Sequence, residues 1–308
     1  MPSETSATPH ASPEPDPLPL LQRVLSLIIV LVPFAGLLWA MVMVWGRGFD
    51  WLNLGLLVGM YVATGLGVTI GYHRLFTHRA FATNRIVQAT LAVLGSMAVE
   101  GSLLHWVSFH RAHHQHSDQD HDPHSPHTHG AGFRNMMRGF WQAHAGWFFQ
   151  RYPHRLEVYV ADLRADRFLR ILSLLFPLWV VLGLAIPTVL AGLITRSWSG
   201  AFLGLLWGGL VRICLVQHLT WSINSVCHIW GYRPFKNRDH SRNNLIFGVL
   251  AFGEGWHNNH HAFPSSARHG LRWWELDVSY LIIWAMSRLG LAWNVRIPPS
   301  DRIAAKLR

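Results

Sequence analysis

The chain predicts an all-α integral membrane protein: four transmembrane helices in two hairpins, with polar, histidine-rich helical segments gathered as a cap on one side. Three observations lead there. Half of the 308 residues are hydrophobic and only 14% are charged, with a mean hydropathy of +0.19, a balance that suits a bilayer better than a soluble globule. Four apolar runs are long enough to cross ~30 Å of hydrocarbon at about 1.5 Å per residue. Three histidine clusters stand beside the ends of apolar segments.

The first 19 residues hold six prolines, and His10 is their only basic residue. Residues 1–22 therefore read as a disordered Pro-rich tail, not a signal peptide, which needs a basic stretch ahead of its apolar core. Residues 25–45 form the first apolar run. The short turn 46–50 leads to the second, 51–70, and the pair reads as a hairpin. A second hairpin joins 171–194 to 201–223 through the turn 195–199. Of 26 Lys and Arg residues, only Arg47 and Arg196 fall in the two turns. By the positive-inside rule both turns lie outside, with both termini and the histidine clusters in the cytoplasm. The 16 tryptophans fit membrane interfaces.

Residues 86–104 are apolar enough to span, yet Gln88, Gly95, Ser96, Glu100 and Gly101 interrupt them. One crossing here would put the first two histidine clusters on opposite sides of the membrane, where they could share no site. The segment is therefore expected to lie in the interface or to enter and leave on one side. Residues 280–291 are too short to span and are expected as an interfacial or packed helix. Cys214 and Cys227 lack CxxC spacing, which excludes an iron–sulfur pattern and a disulfide framework. The net charge of +10 is dispersed and no zinc-finger or RRM pattern accompanies it, so nucleic acid is not an expected partner. A face beside anionic lipid accounts for the charge.

The clusters are His73-Arg-Leu-Phe-Thr-His78, His110-Arg-Ala-His113-His114 and His257-Asn-Asn-His260-His261; Asn224-Ser-Val-Cys-His228 closes another apolar run. At i, i+3 and i+4 side chains share one helix face, so the second and third clusters can each converge. His73 and His78, five apart, would diverge on a regular helix and are expected to straddle a helix end. Asn224 and His228, at i and i+4, can both face inward. Neutral imidazole suits Fe, Zn, Cu and Ni alike. Asp122 and Glu254 suit a supporting role, accepting the other ring N–H of a ligand histidine; Asp118 is as readily an ordinary solvated acid. His10, His154, His218 and His240 read as ordinary polar residues, and most of His116, His121, His124, His127 and His129 as a solvated loop.

At these residues the chain resembles the membrane fatty-acid desaturases, specifically the Δ9, stearoyl-CoA desaturase-like group in its bacterial and plant-type branch. The likeness runs from about residue 25 to 298. It includes Gly71-Tyr-His-Arg-Leu-Phe-Thr-His78, Trp106 ahead of His110, Asp122-Pro-His124, His144-Ala-Gly-Trp147, the stretch from Asn224 to Pro234, and Gly253-Glu-Gly-Trp-His-Asn-Asn-His-His261. The resemblance implies a desaturase domain over 23–298, followed by a short basic tail, 299–308. It implies two iron ions held by His73, His78, His110, His113, His114, His228, His257, His260 and His261, with Asn224 acting through a water. It also implies a bent substrate tunnel flanked by Trp106, Thr220 and Trp221. Tyr61 is a candidate stop for the acyl chain, or equally an interhelical packing residue.

Two departures stand out. Ser108-Phe109 replaces the Arg-Asp pair of animal acyl-CoA enzymes, which leans toward acyl-lipid substrates. Glu100 stands where the family has a neutral Gln, and a buried Glu is expected to be protonated or in contact with water. Residues 127–137 look like an insertion. The implied reaction is O2-dependent desaturation of a fatty-acyl chain, with cis double-bond formation at C9 and release of water. Its electrons would come from a separate donor (ferredoxin, cytochrome b5 or similar), since neither a His-Pro-Gly-Gly motif nor a ferredoxin Cys pattern is present. Arg151, Arg155, Arg164, Arg167, Arg233, Lys236 and Arg238 are available to dock it, or to meet lipid headgroups. A hydroxylase using the same histidines is the rival enzyme. A metal-binding membrane protein or transporter needs ionisable residues within its spans, and only Arg212 qualifies.

Overall fold

Apolar sequence carries helix through four long stretches. The computed structural model describes residues 19–47, 51–130, 132–150 and 156–307. Helix α1 (Leu20–Arg47) contains Pro33. Helix α2 (Trp51–Leu66) runs directly into a π-helical segment, Gly67–Thr77. The stretches long and apolar enough to cross a membrane are Leu20–Val44, Trp51–Thr77, Phe176–Thr195 and Trp198–His228. They overlie the four expected runs, with the second and fourth extended at their C-terminal ends into the histidine motifs. Residues 1–18 and 48–50 lie outside the described residues, but positions 20–22, expected in the tail, already belong to α1.

Between the second and third stretches come β1 (Ala82–Thr83), α3 (Arg85–Ser96), α4 (Leu103–His116), α5 (Phe133–His144), α6 (Ala161–Ala165) and α7 (Arg167–Leu174). The third stretch is α8 (Phe176–Thr195). The fourth comprises α9 (Trp198–Gly204), a π-helical segment (Leu205–Val211) and α10 (Arg212–Ser225). It is the centre of the bundle: α8 lies along α9, while α1 and α2 both rest on its π-helical part. Arg212 is fully buried there. Its guanidinium donates to the carbonyls of Met97, Gly183 (2.8 Å) and Gly208 (3.1 Å). With three of its donors turned to backbone acceptors, Arg212 ties these segments together.

Segment 86–104 does not form one helix long enough to cross a membrane. Helix α3, capped by Asn84, whose side chain accepts from Val87 N–H (3.0 Å), ends at Ser96. The chain then turns through Val99 (φ 63°) and Gly101 (φ 111°) before α4 begins. Helix α3 packs along the π-helical part of the second stretch. The approach is so close that a Cβ on Gly67 would lie 2.3 Å from the Gly95 nitrogen. The first two histidine clusters consequently stay at one end of the bundle.

The C-terminal third adds α11 (Leu245–Leu250), α12 (His257–Ala262), α13 (Val278–Arg288), β2 (Ala292–Trp293) and α14 (Ser300–Lys306). Strand β2 pairs antiparallel with β1. Helix α13 occupies the short apolar run near 280–291 and buries Ile283 in the main core with Tyr72, Phe76, Leu103 and Val107. Residues 299–307, expected as part of a tail, are docked instead. Lys306 Nζ donates to Ala262 O (2.6 Å) and sits 4.8 Å from the centre of the Phe263 ring. A cation with both a carbonyl and an aromatic face to meet has reason to hold this short helix in place.

Candidate metal centre

His73 lies in the π-helical segment and His78 caps its end. The expected helix end is present, but the wide turn is what unites the pair. His78 N–H donates to His73 O, five residues back (3.1 Å), and the two ring centroids are 4.8 Å apart. On α4, the i, i+3, i+4 spacing gathers His110, His113 and His114; α12 does the same for His257, His260 and His261. His228 follows α10 in a single 3-10 turn, Val226–His228.

These residues meet in two groups whose nitrogens could each hold one ion: His73, His78, His110, His114 and His260, and beside them His113, His228, His257 and His261. All nine histidines anticipated from the motifs are in one group or the other. Within the first, Nε2 of His260 lies 3.0 Å from that of His73 and 2.9 Å from that of His114. In the second, Nε2 of His228 and His257 are 3.0 Å apart. Ligand nitrogens about 2.1 Å from a common ion and at right angles to each other are separated by about 3 Å, so the donor sets fit metal ions. Nε2 of His78, His113 and His261 is buried with no partner among the described residues, as an inward-facing ligand atom would be. Burial first, and neighbouring imidazoles second, hold His78, His110, His114, His257 and His260 well below the ordinary histidine range. They are therefore neutral at pH 7, the form that binds metal.

Each group is braced by carboxylates on the far ring nitrogens. Glu254 Oε2 meets His73 Nδ1 at 2.5 Å, and Asp122 Oδ1 meets His113 Nδ1 at 2.8 Å. Asp118 Oδ2 lies 2.8 Å from His228 Nδ1 and Asp239 Oδ2 2.8 Å from His261 Nδ1. Such contacts fix which ring nitrogen carries the proton. Asp118 is thus a bonded brace rather than a solvated acid. Asp239 was not foreseen, because it sits in a loop far from any cluster in the sequence. His269 was also missed. It is fully buried beside His73 and His260, with Nδ1 3.1 Å from Arg74 Nη2. His73, Glu254 and His269 could by distance form a third group. The Arg74 guanidinium against both Glu254 and His269 makes it a poor place for a further cation.

A cavity opens beside the histidines, with Glu100, Trp106, Thr220, Trp221 and Asn224 in its wall. Trp106 stacks on the His110 ring (centroids 4.9 Å apart) and donates its N–H to Glu100 Oε2 (3.1 Å). Burial pushes the Glu100 carboxyl up to about 8, against opposing hydrogen bonds from Thr220 and Trp106. His124 and Trp147 also line the cavity; His124, expected in a solvated loop, is buried against Trp147 (centroids 4.6 Å apart). Tyr61 does not line it. Its hydroxyl, which needs an acceptor among apolar neighbours, donates to Leu250 O (2.5 Å), and its ring packs on Phe252. His218 is satisfied by His144 (2.9 Å), and His127 by the His228 carbonyl (2.9 Å). His10, His154, Arg151 and Arg155 lie outside the described residues.

Comparison with known proteins agrees with this geometry. The family described as "Fatty acid desaturase" matches residues 49–294. The chain is 42% identical over 283 residues to a hex-5-enoyl-[acyl-carrier protein] acetylenase of Moorena producens, covering 91% of this chain and 88% of that one. It is 37% identical to an sn-1 stearoyl-lipid 9-desaturase of Synechocystis (84% and 76% covered). With a Δ9 acyl-lipid desaturase of Arabidopsis thaliana the identity is 36% (82% and 78% covered). Four membrane-length apolar helices, two converging histidine groups and these relatives together show that the chain belongs to the fatty acid desaturase family and is an oxidoreductase of that kind.

Proposed function

We propose that the protein inserts a cis double bond at C9 of a saturated fatty-acyl chain, using O2, two iron ions and electrons from a separate donor. The observation that carries this reading is the placement of two histidine groups, of five and four, beside one aromatic-walled cavity. The residues that would hold iron are His73, His78, His110, His114 and His260 for one ion, and His113, His228, His257 and His261 for the other. The smaller group has Asn224 nearby in the cavity wall, positioned to orient a water. Bound there, the ions would supply the O2-derived oxidant that removal of hydrogen from an unactivated methylene requires.

The chain's own contribution is placement. Trp106, Thr220 and Trp221 shape the cavity around the reacting carbons and exclude water. Glu254, Asp122, Asp118 and Asp239 hold the imidazole tautomers. Both termini and the metal centre would face the cytoplasm, with the two turns outside. The donor would dock where Lys236, Arg238 and His240 are exposed, since Asp239 among them contacts His261 directly. A second reading follows from the relative named an acetylenase: an alkene could be the substrate and an alkyne the product.

Expression in a host lacking Δ9 unsaturation, with double bonds located by mass spectrometry, tests both. A new cis-9 alkene is the expected result, and an alkyne would move the assignment to the second reading. Hydroxylated products, or no product despite bound iron and a competent donor, would refute the proposal. His257→Ala should abolish turnover.

A further inference from the structure

A second groove adjoins the central cavity and shares His105 with it. Three arginines line the groove, Arg164, Arg167 and Arg170, against one carboxylate, Glu157. Arg164 approaches Glu157 only to 3.9 Å. Among the described residues no carboxylate lies within ion-pair distance of Arg167 or Arg170. The groove thus has surplus positive charge and guanidinium groups free to bind. Its other end is apolar: Ile171, Leu174, Phe176 and Pro177 line it where α7 gives way to α8. Leu174 is 79% exposed, and α8 is one of the membrane-length stretches. A row of arginines beside exposed apolar side chains at the mouth of a span matches the headgroup level of a bilayer.

We infer that this groove binds the phosphate of an acyl phospholipid drawn from the membrane, so that its acyl chain passes His105 into the central cavity. Guanidinium groups pair with phosphate oxygens through charge-assisted, often bidentate hydrogen bonds. A neutral sugar headgroup offers no charge for them, and the groove would discriminate against it. The arginines anticipated as a donor-docking face are thereby divided: Arg164 and Arg167 serve the substrate, while Lys236 and Arg238 remain for the donor. The inference rests on the desaturation reading for the fate of the chain, but the headgroup site can be tested independently of turnover.

The full-length protein in detergent is offered stearoyl-phosphatidylglycerol or the matching monogalactosyl lipid, and retention is read by native mass spectrometry. Wild type should retain the phospholipid about tenfold more tightly, and Arg167→Gln/Arg170→Gln should erase the difference with metal content unchanged. Arg302→Gln, on exposed α14, is the control. Equal retention of both lipids, or discrimination intact in the double variant, overturns the inference. Stearoyl-CoA or stearoyl-acyl carrier protein turned over through the same arginines, with the phospholipid left untouched, also overturns it. Retained discrimination with no desaturation of any acyl donor would support the groove and remove the desaturation reading instead.

Discussion

Asp239 and Glu100 act at the scale of single residues, and each sets a measurable property. Asp239 braces His261 from a loop. Removing its charge while keeping its shape should let the ring rotate and lower its basicity. Asp239→Asn is expected to weaken metal binding about 10–100-fold, read by elemental analysis of the purified protein; full occupancy at limiting iron would contradict the role. Glu100 concerns pH. Its carboxyl is raised from 4.5 to about 8 by burial, so the fold favours the protonated form. That contribution is complete below about pH 4.5, the unfolded value, and is lost as pH rises through 8. Glu100→Gln, which stays neutral, should be the more stable protein at pH 9, on the order of a few kcal/mol at most. Thermal unfolding at pH 6 and pH 9 checks this, and parallel pH dependence in both proteins would dismiss it. Six of the nine histidines, those of α4 and α12, were legible because i, i+3, i+4 spacing is a local signal, while His73, His78 and His228 came with the family resemblance. Asp239 and His269 were not, because only tertiary folding brings their loops to the site.

At the scale of elements, the four membrane-length stretches were visible as hydropathy alone, and the parity of 86–104 followed from requiring two clusters to meet. The π-helical segment was not visible. Arguments from a period of 3.6 assume α geometry, and that assumption set His73 and His78 apart. Close packing of α3 sustains the wide turn, and Gly67 makes the approach possible. Gly67→Ala should drive a methyl into the Gly95 backbone. We expect a cost of about 1–3 kcal/mol or more, with loss of metal from the first histidine group. Normal melting and normal metal content in that variant would show that the contact is not what holds the turn. The docked helix α14 escaped notice because a seven-residue polar segment carries little signal of its own.

For the whole molecule, four crossings, an even number, would place both termini on one side. Single cysteines introduced by Ser199→Cys and Ser300→Cys should label from opposite faces of intact cells, Ser300→Cys only after permeabilisation. The native Cys214 and Cys227 are buried and should add little background. Labelling of both from outside would reverse or break the proposed orientation. The same arrangement explains how so much buried polarity is tolerated. Four carboxylates, Arg74 and nine histidines are concentrated at one end of the bundle, with His73, Arg74 and His228 at the ends of two membrane-length stretches and Arg212 deeper within one. Most of the buried polar groups there have a partner or face the place where an ion would sit; Arg74 Nε, His257 Nδ1, His260 Nδ1 and His269 Nε2 have none among the described residues.

The π-helical turn has one more consequence, for how the chain tolerates changes in length. A wide turn holds one residue more than the α-helix that would replace it. Deleting a single residue between Gly67 and Tyr72 would let the segment relax to ordinary helix without disturbing the span. On an ordinary helix His73 and His78, five residues apart, would then point about 140° away from each other. A deletion harmless to membrane insertion would thus part the two histidines that the wide turn unites. The protein should reach the membrane in normal amounts, yet be unable to keep its ions.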